Sequence, residues 1–279
     1  MKAQAVITEK ELKKTSAWLA KTERLQEFVP FVGIRDTWKI GRRHLHLEPG
    51  TERMHVSASD LELRAMTYLR YKFKNATFKT QVPLHPIELT IKIANELGVM
   101  HPRDWEENAA KTMSTDIVME GTDYESGKHR EIAVFVRYMN GLYKTVNNEV
   151  SPITREWQKI KIAEIYHTKY QKQEFIILTN KELSKNTEYS INWLNEYRHQ
   201  VYQEEELVNF VSKFLKVFDK DPLNILNDVL KETAFEVKLP FSACLNMFRY
   251  CGTKHYLPLD ITQRITLSTT LKMNYDESR

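Results

Sequence analysis

The chain has 279 residues, 42% hydrophobic and 28% charged, with a net charge of +4. That balance excludes a disordered chain, and no apolar run approaches the roughly 20 residues of a membrane span, so no membrane partner is expected. The charge is uneven: residues 1–80 carry 16 Lys and Arg against 9 Asp and Glu, leaving the remainder slightly acidic.

A basic amino-terminal segment suits contact with a phosphate backbone, and equally an ordinary solvated face. The start, Met1-Lys2-Ala3-Gln4, leads into a charged helix with no secretory apolar region. Cys244 and Cys251 stand seven residues apart, one helix face, and read as reduced core thiols rather than a disulfide or metal pair. The expected compartment is the cytoplasm.

In chain order, residues 8–29 predict an amphipathic helix with Leu12, Trp18, Leu19, Leu25 and Phe28 as its apolar marks. Residues 33–57 predict short strands, with Glu48-Pro49-Gly50-Thr51 closing a hairpin. Residues 59–73 predict a helix whose face carries Leu61, Ala65, Tyr68 and Leu69. A strand follows at 78–84, then a helix at 89–97 stopped by Gly98. Residues 116–119 and 131–139 predict the two strands of a hairpin, joined by a loop holding Gly121, Ser126 and Gly127. A long charged helix at 152–173 and a buried strand at 175–178 complete an α/β unit, a mixed sheet flanked by helices. Beyond Asn180 the texture turns helical, with helices expected at 183–197, 204–218, 223–233 and 241–250. Gly252 is expected to end the last of them, and strand-like residues follow. Short helices and then a strand pair give the plan of a winged helix-turn-helix. The expected domains are therefore residues 1–180 and 181–279.

Three charged residues stand out. Glu62 opens a helix in Ser59-Asp60-Leu61-Glu62, Asp116 leads into the apolar run Ile117-Val118-Met119, and Arg137 ends the run Ala133-Val134-Phe135-Val136. Acid, acid and cation in this order is how a restriction-type nuclease builds its site: two carboxylates hold a divalent metal and the cation steadies charge on the scissile phosphate. The plainer readings are a capping box for Ser59-x-x-Glu62 and a turn aspartate for Asp116. An aspartate amid Met, Ile and Val nevertheless needs a partner if it is buried. No Gly-x-x-x-x-Gly-Lys loop, Gly-x-Ser-x-Gly or Cys/His nucleophile context accompanies them.

Gly41-Arg42-Arg43-His44, Ser59-Asp60-Leu61-Glu62-Leu63, Gln81-Val82-Pro83-Leu84, Gly98-Val99-Met100-His101-Pro102, Met113-Ser114-Thr115-Asp116 and Thr179-Asn180-Lys181-Glu182 with Ile191-Asn192-Trp193-Leu194 lie in sequence from about residue 35 to 195. In these blocks the chain resembles the TnsA family, the endonuclease subunit of heteromeric cut-and-paste DNA transposases. The resemblance implies a restriction-endonuclease-like catalytic domain followed by a winged-helix-like domain. It further implies Mg²⁺-dependent hydrolysis (Mn²⁺ substituting) at the 5′ ends of a mobile element. The implied partners are transposon-end DNA, a sister transposase with an Asp-Asp-Glu site, and an AAA+ ATP-dependent regulator that contacts the carboxy-terminal domain. A nucleoid-associated place in a bacterial cytoplasm goes with them.

By the resemblance, Glu62 and Asp116 are metal ligands, joined by the backbone carbonyl of Val136. The family pattern Gln-x-Lys is replaced here by Phe135-Val136-Arg137. Arginine keeps the charge but stays protonated and presents a fork where lysine presents a point. Three readings stand open: Arg137 takes the lysine role, Lys128 or Lys144 supplies a displaced cation, or nuclease activity is weakened or lost and the subunit serves assembly. Strand alternation puts Ala133, Phe135 and Arg137 on the side facing the site. Arg42, Arg43 and His44 are candidate phosphate contacts, Gln81 is a candidate for orienting water or DNA, and Lys159 and Lys161 for lining DNA. His44-x-His46 lacks the further ligands that zinc needs, and His101 is expected to pack or cap beside Pro102.

Overall fold

The computed structural model describes residues 6–33, 42–47, 54–104, 106–196 and 200–274. The chain divides into two compact units, Met1–Lys181 and Glu182–Arg279. The first unit opens with α1 (Glu9–Leu25), capped by the Thr8 hydroxyl and ended by Gln26 in the left-handed region at φ 51°. Sequence periodicity carried this helix to residue 29. Instead the chain turns so that Trp18 packs edge-on against Phe28 and Phe31, its indole donating to Val29 O at 2.7 Å. A hairpin of β1 (His44–Leu47) and β2 (Met54–Ser57) follows, and its expected turn at 48–51, like Gly41, lies outside the described residues.

α2 (Asp60–Lys72) starts on Ser59, whose hydroxyl accepts the Glu62 N–H. It buries Leu61, Ala65, Met66 and Leu69 and passes directly into β3 (Phe73–Pro83). α3 (Ile87–Glu96) stops before Gly98, which takes φ 65°. β4 (Ser114–Asp123) and β5 (His129–Arg137) form the expected hairpin, longer than the sequence indicated.

Between Arg137 and the charged helix the structure adds elements not expected from sequence: α4 (Met139–Leu142), β6 (Tyr143–Val146) and β7 (Glu149–Pro152). Asn147 and Asn148, at φ 51° and 64°, make the two-residue turn between β6 and β7. Paired asparagines tolerate this left-handed backbone, so the signal was present. α5 (Thr154–Ile165) then widens into a π-helical segment, Tyr166–Gln171, before β8 (Glu174–Thr179).

The main sheet runs β3-β4-β5-β8, antiparallel except for the β5–β8 pair, which is parallel. A parallel neighbour needs a crossover, and α4 through the π-helical segment supplies it. Leu84, Ile93, Phe135, Leu142, Ile160, Ile162 and Tyr166 form the core on that side. The fold class expected from sequence, a mixed sheet flanked by helices with a helical carboxy-terminal region, is the one found, and it is consistent with a restriction-endonuclease-like fold. No helix among the described residues is long and apolar enough to cross a membrane.

The second unit holds α6 (Lys185–Asn195), α7 (Glu204–Lys220), α8 (Leu226–Val237) and α9 (Phe241–Thr253). Phe210, Phe214 and Phe218 recur every four residues along α7, and Phe214 meets Phe248 of α9 at 5.1 Å between centroids. Gly252 does not end α9. It lies in the last turn, where an added Cβ would stand 2.8 Å from both Leu194 and Leu259. The expected strand pair after it is reduced, among the described residues, to isolated bridges, Leu259 to Met273 and Ile225 to Thr270. Cys244 and Cys251 are buried and free, and burial pushes both thiols up to about 12.

Candidate functional site

The capping position that starts α2 also aims Glu62. Its Oε2 accepts the Ala58 N–H at 2.8 Å and the Gln81 side-chain amide at 3.1 Å, while Ser59 Oγ donates to Oε1 at 3.3 Å. Half of the capping box is realised: Ser59 caps the Glu62 N–H, while the Glu62 carboxylate reaches back to Ala58 N–H rather than to that of Ser59 and converges on the sheet. Glu62 is only 6% exposed, and these donors are neutral. Burial first, and the Asp116 charge second, push its carboxyl up to about 8.

Gln81 lies between the register pairs Thr80–Ile117 and Val82–Thr115, level with Asp116 on the neighbouring strand. It adopts φ 54°, a conformation that side chains rarely take and that tends to gather at functional sites. Its amide oxygen accepts from Ser114 Oγ at 3.3 Å and its backbone carbonyl from Phe31 N at 3.0 Å. Buried and engaged at both ends of its amide, Gln81 holds Glu62 in place.

Asp116 points across the sheet at the end of β5. The regular β4–β5 pairing stops at Ile117–Val134, and beyond it the Val136 N–H donates to Asp116 Oδ2 at 2.8 Å. Arg137 Nη1 donates to the same oxygen at 2.8 Å and to the Val136 carbonyl at 2.7 Å. The guanidinium lies over the Phe135 ring, 5.1 Å from its centroid. Its Nε is 4.0 Å from Glu156 Oε2, and Glu156 in turn pairs with Lys159 at 2.6 Å. Asp116 foremost, with Glu156, holds Arg137 firmly in its charged form.

Arg137 is thus the cation that meets Asp116. Lys128 sits in the turn at the far end of the β4–β5 hairpin, about 25 Å along the strands, and Lys144 is exposed on β6. Phe135 and Ala133 are almost fully buried: Phe135 belongs to the core beneath α5 and carries the Arg137 guanidinium over its ring. Glu156 escaped sequence reasoning because nothing distinguishes it from the other carboxylates of a charged helix. Lys159 joins the site only through Glu156, and Lys161 pairs with Glu164 instead.

His44 binds Asp60 at 2.6 Å, which sets the start of β1 beside the first turn of α2. His44 first, then Arg42 and Arg64, hold the Asp60 carboxyl below the usual range. Arg42 is exposed and Arg43 half-buried, so a basic rim flanks the Glu62 end of α2. The side chain of His46 lies outside the described residues. His101 is buried between Thr90 and the Pro102 carbonyl, a packing role. Behind Asp116, the Thr115 hydroxyl meets His167 of the π-helical segment at 2.6 Å, and His167 meets Gln173 at 2.6 Å.

Among the described residues no three His, Cys, Asp or Glu side chains gather to hold an ion. An ion here would rest on Glu62, Asp116 and the Val136 carbonyl, all hard oxygen donors of the kind Mg²⁺ and Mn²⁺ accept. A buried carboxylate with neutral donors, beside a second carboxylate, fits such an ion. The protonation of Glu62 gives a test. Its folded-state value near 8 exceeds the ordinary 4.5, so the metal-free fold keeps a proton that the unfolded chain releases. Stability should fall as pH rises through that window. Glu62→Gln is expected to flatten the fall, raising Tm at pH 8 by about 3 °C or more while changing little near pH 5. Thermal melts across that range check this, and parallel curves for the two proteins would count against it.

No protein-family model matches the chain. It is similar to the transposon Tn7 transposition protein TnsA of Escherichia coli, 24% identical over 237 residues, covering 85% of this chain and 80% of that protein. That similarity supports a TnsA-like relationship at low identity.

Proposed function

We propose that the chain is the DNA endonuclease subunit of a heteromeric transposase, nicking the 5′ ends of a transposon with Mg²⁺ or Mn²⁺. One observation carries the reading most: Glu62 from a helix start and Asp116 from a central strand share one buried locus with the Arg137 guanidinium. The TnsA-like relationship supports the same reaction class. Glu62, Asp116 and the Val136 carbonyl would hold the ion. When bound, the ion supplies an activated water and neutralises the phosphate. Gln81 and Ser59 fix Glu62 in place, and the Asp116–Val136 hydrogen bond does the same for the second acid. Arg137 brings a permanent positive charge to the cleaved phosphate and, remaining protonated, takes no proton from water. Arg42, Arg43 and His44 would contact the DNA backbone beside α2.

In this reading residues 1–180 cut, and residues 181–279, as a winged-helix-like unit, meet an ATP-dependent regulator. The Asp-Asp-Glu transposase cuts and joins the 3′ ends. The setting is the bacterial nucleoid. A second reading, an assembly subunit with weak or absent cleavage, draws support from the clasp of Arg137 on Asp116. The test combines the chain, its transposase and transposon-end duplex with Mg²⁺ or Mn²⁺. Metal-dependent nicks mapped to the 5′ ends are expected. Normal 3′ cutting with intact 5′ strands would favour the assembly subunit.

A further inference from the structure

A single nitrogen, Arg137 Nη1, donates at 2.8 Å to Asp116 Oδ2 and at 2.7 Å to Val136 O. These are two of the oxygens that a divalent ion would need, and a dication seats itself about 2.1 Å from such ligands. The nitrogen and an ion cannot both satisfy the same two oxygens. The guanidinium also has somewhere to go. Glu156 Oε2 already lies 4.0 Å from Nε, on the helix that follows the site. The Glu156 carboxylate is shared with Lys159 at 2.6 Å, so it is a standing acceptor rather than a free charge. The guanidinium lies over the Phe135 ring, 5.1 Å from its centroid, with Asp116 on one side and Glu156 within 4.0 Å.

We infer that Arg137 is a built-in counter-cation that fills a divalent-ion position, and that an ion enters only as the guanidinium passes from Asp116 to Glu156. The inference rests on the metal reading above and adds what limits metal uptake. A lysine at this position would present one point charge, whereas the fork can hold Asp116 and Glu156 in turn. The exchange leaves Asp116 and Glu156 each with a positive partner before and after the ion enters, and an ion that also rests on Glu62 releases that carboxyl's proton to solvent.

Calorimetric titration of the full chain with Mn²⁺ tests this. Arg137→Met keeps an unbranched apolar stem as far as the Nε position but has no guanidinium, no charge and no donor. It is expected to bind Mn²⁺ at least about tenfold more tightly than wild type, with a larger Mn²⁺-induced rise in Tm. Removing any nearby positive charge would help a dication somewhat, so Glu156→Gln supplies the discriminating arm. In wild type it takes away the guanidinium's landing place and should weaken Mn²⁺ binding about tenfold more than it does in the Arg137→Met background. Equal affinities for wild type and Arg137→Met would overturn the inference, as would equal Glu156→Gln effects in both backgrounds. Arg137→Gln serves in the same comparison if Arg137→Met does not fold. If no variant binds Mn²⁺, the metal reading falls and this inference with it, whereas binding that ignores residue 137 sinks the inference alone.

Discussion

Asp116→Ala is expected to abolish 5′ nicking, by about a thousandfold or more, while leaving the fold intact. The carboxylate makes three connections at once. It receives the Val136 N–H and the Arg137 guanidinium on one oxygen, and its charge bears on Glu62. Alanine therefore leaves the Val136 N–H without its partner, leaves the guanidinium only the Val136 carbonyl and Glu156, and removes one of the two carboxylates proposed to hold the ion. Breaking a buried ion pair from one side commonly costs about 3–5 kcal/mol. Two features soften that here. The Arg137 side chain keeps 30% of its surface exposed, and Glu62, relieved of a neighbouring negative charge, ionises more readily and can draw the guanidinium. A loss of about 2 kcal/mol is the expectation, read as a shift in urea midpoint. Nicking that survives within tenfold would remove Asp116 from the chemistry.

Phe135→Gln is the second large effect, and it runs against intuition from the resemblance. Glutamine would restore the residue type that the family places here, yet Phe135 is 2% exposed and packs against Phe175 at 5.6 Å, among Leu84, Ile93 and Ile160. The substitution removes an aromatic ring from a close-packed site and buries an amide without partners. Together these cost roughly 3 kcal/mol. It also withdraws the surface on which Arg137 rests. The expected result is a destabilised protein with no gain in nicking, measured by urea denaturation beside the nicking assay. A variant as stable as wild type that cuts better would show that Phe135 replaces a working group.

How far the sequence alone reached depends on the range of the interactions involved. Ser59-x-x-Glu62 announced the start of α2, because a cap is a local event and its signal sits within four residues. The hairpin carrying Asp116 and Arg137 was legible from two continuous apolar runs and the Gly127 turn between them. The β6–β7 hairpin was missed although Asn147-Asn148 marks its turn, since its strands are exposed and carry no apolar pattern. The break of the charged helix into a π-helical segment was not legible. Its His167 reaches Thr115, a contact between residues far apart in the chain that no local signal announces. The same applies to the site. Glu62, Asp116 and Arg137 were identifiable as residue types in order, but the clasp of Arg137 on Val136 O and the approach of Glu156 are tertiary facts. Gln81 was read as a group that meets water or DNA, and its hydrogen bond to Glu62 is a further tertiary fact. Alternation placed Phe135 toward the site correctly in register, but packing against α5 closes that surface.

The most direct measurement is anomalous diffraction from crystals of the chain grown with Mn²⁺, wild type beside Arg137→Met. The account predicts a peak roughly 2–2.4 Å from carboxylate oxygens of Glu62 and Asp116 and from the Val136 carbonyl, stronger in the variant. Peaks absent from that locus in both crystals, or seated on other residues, would contradict it.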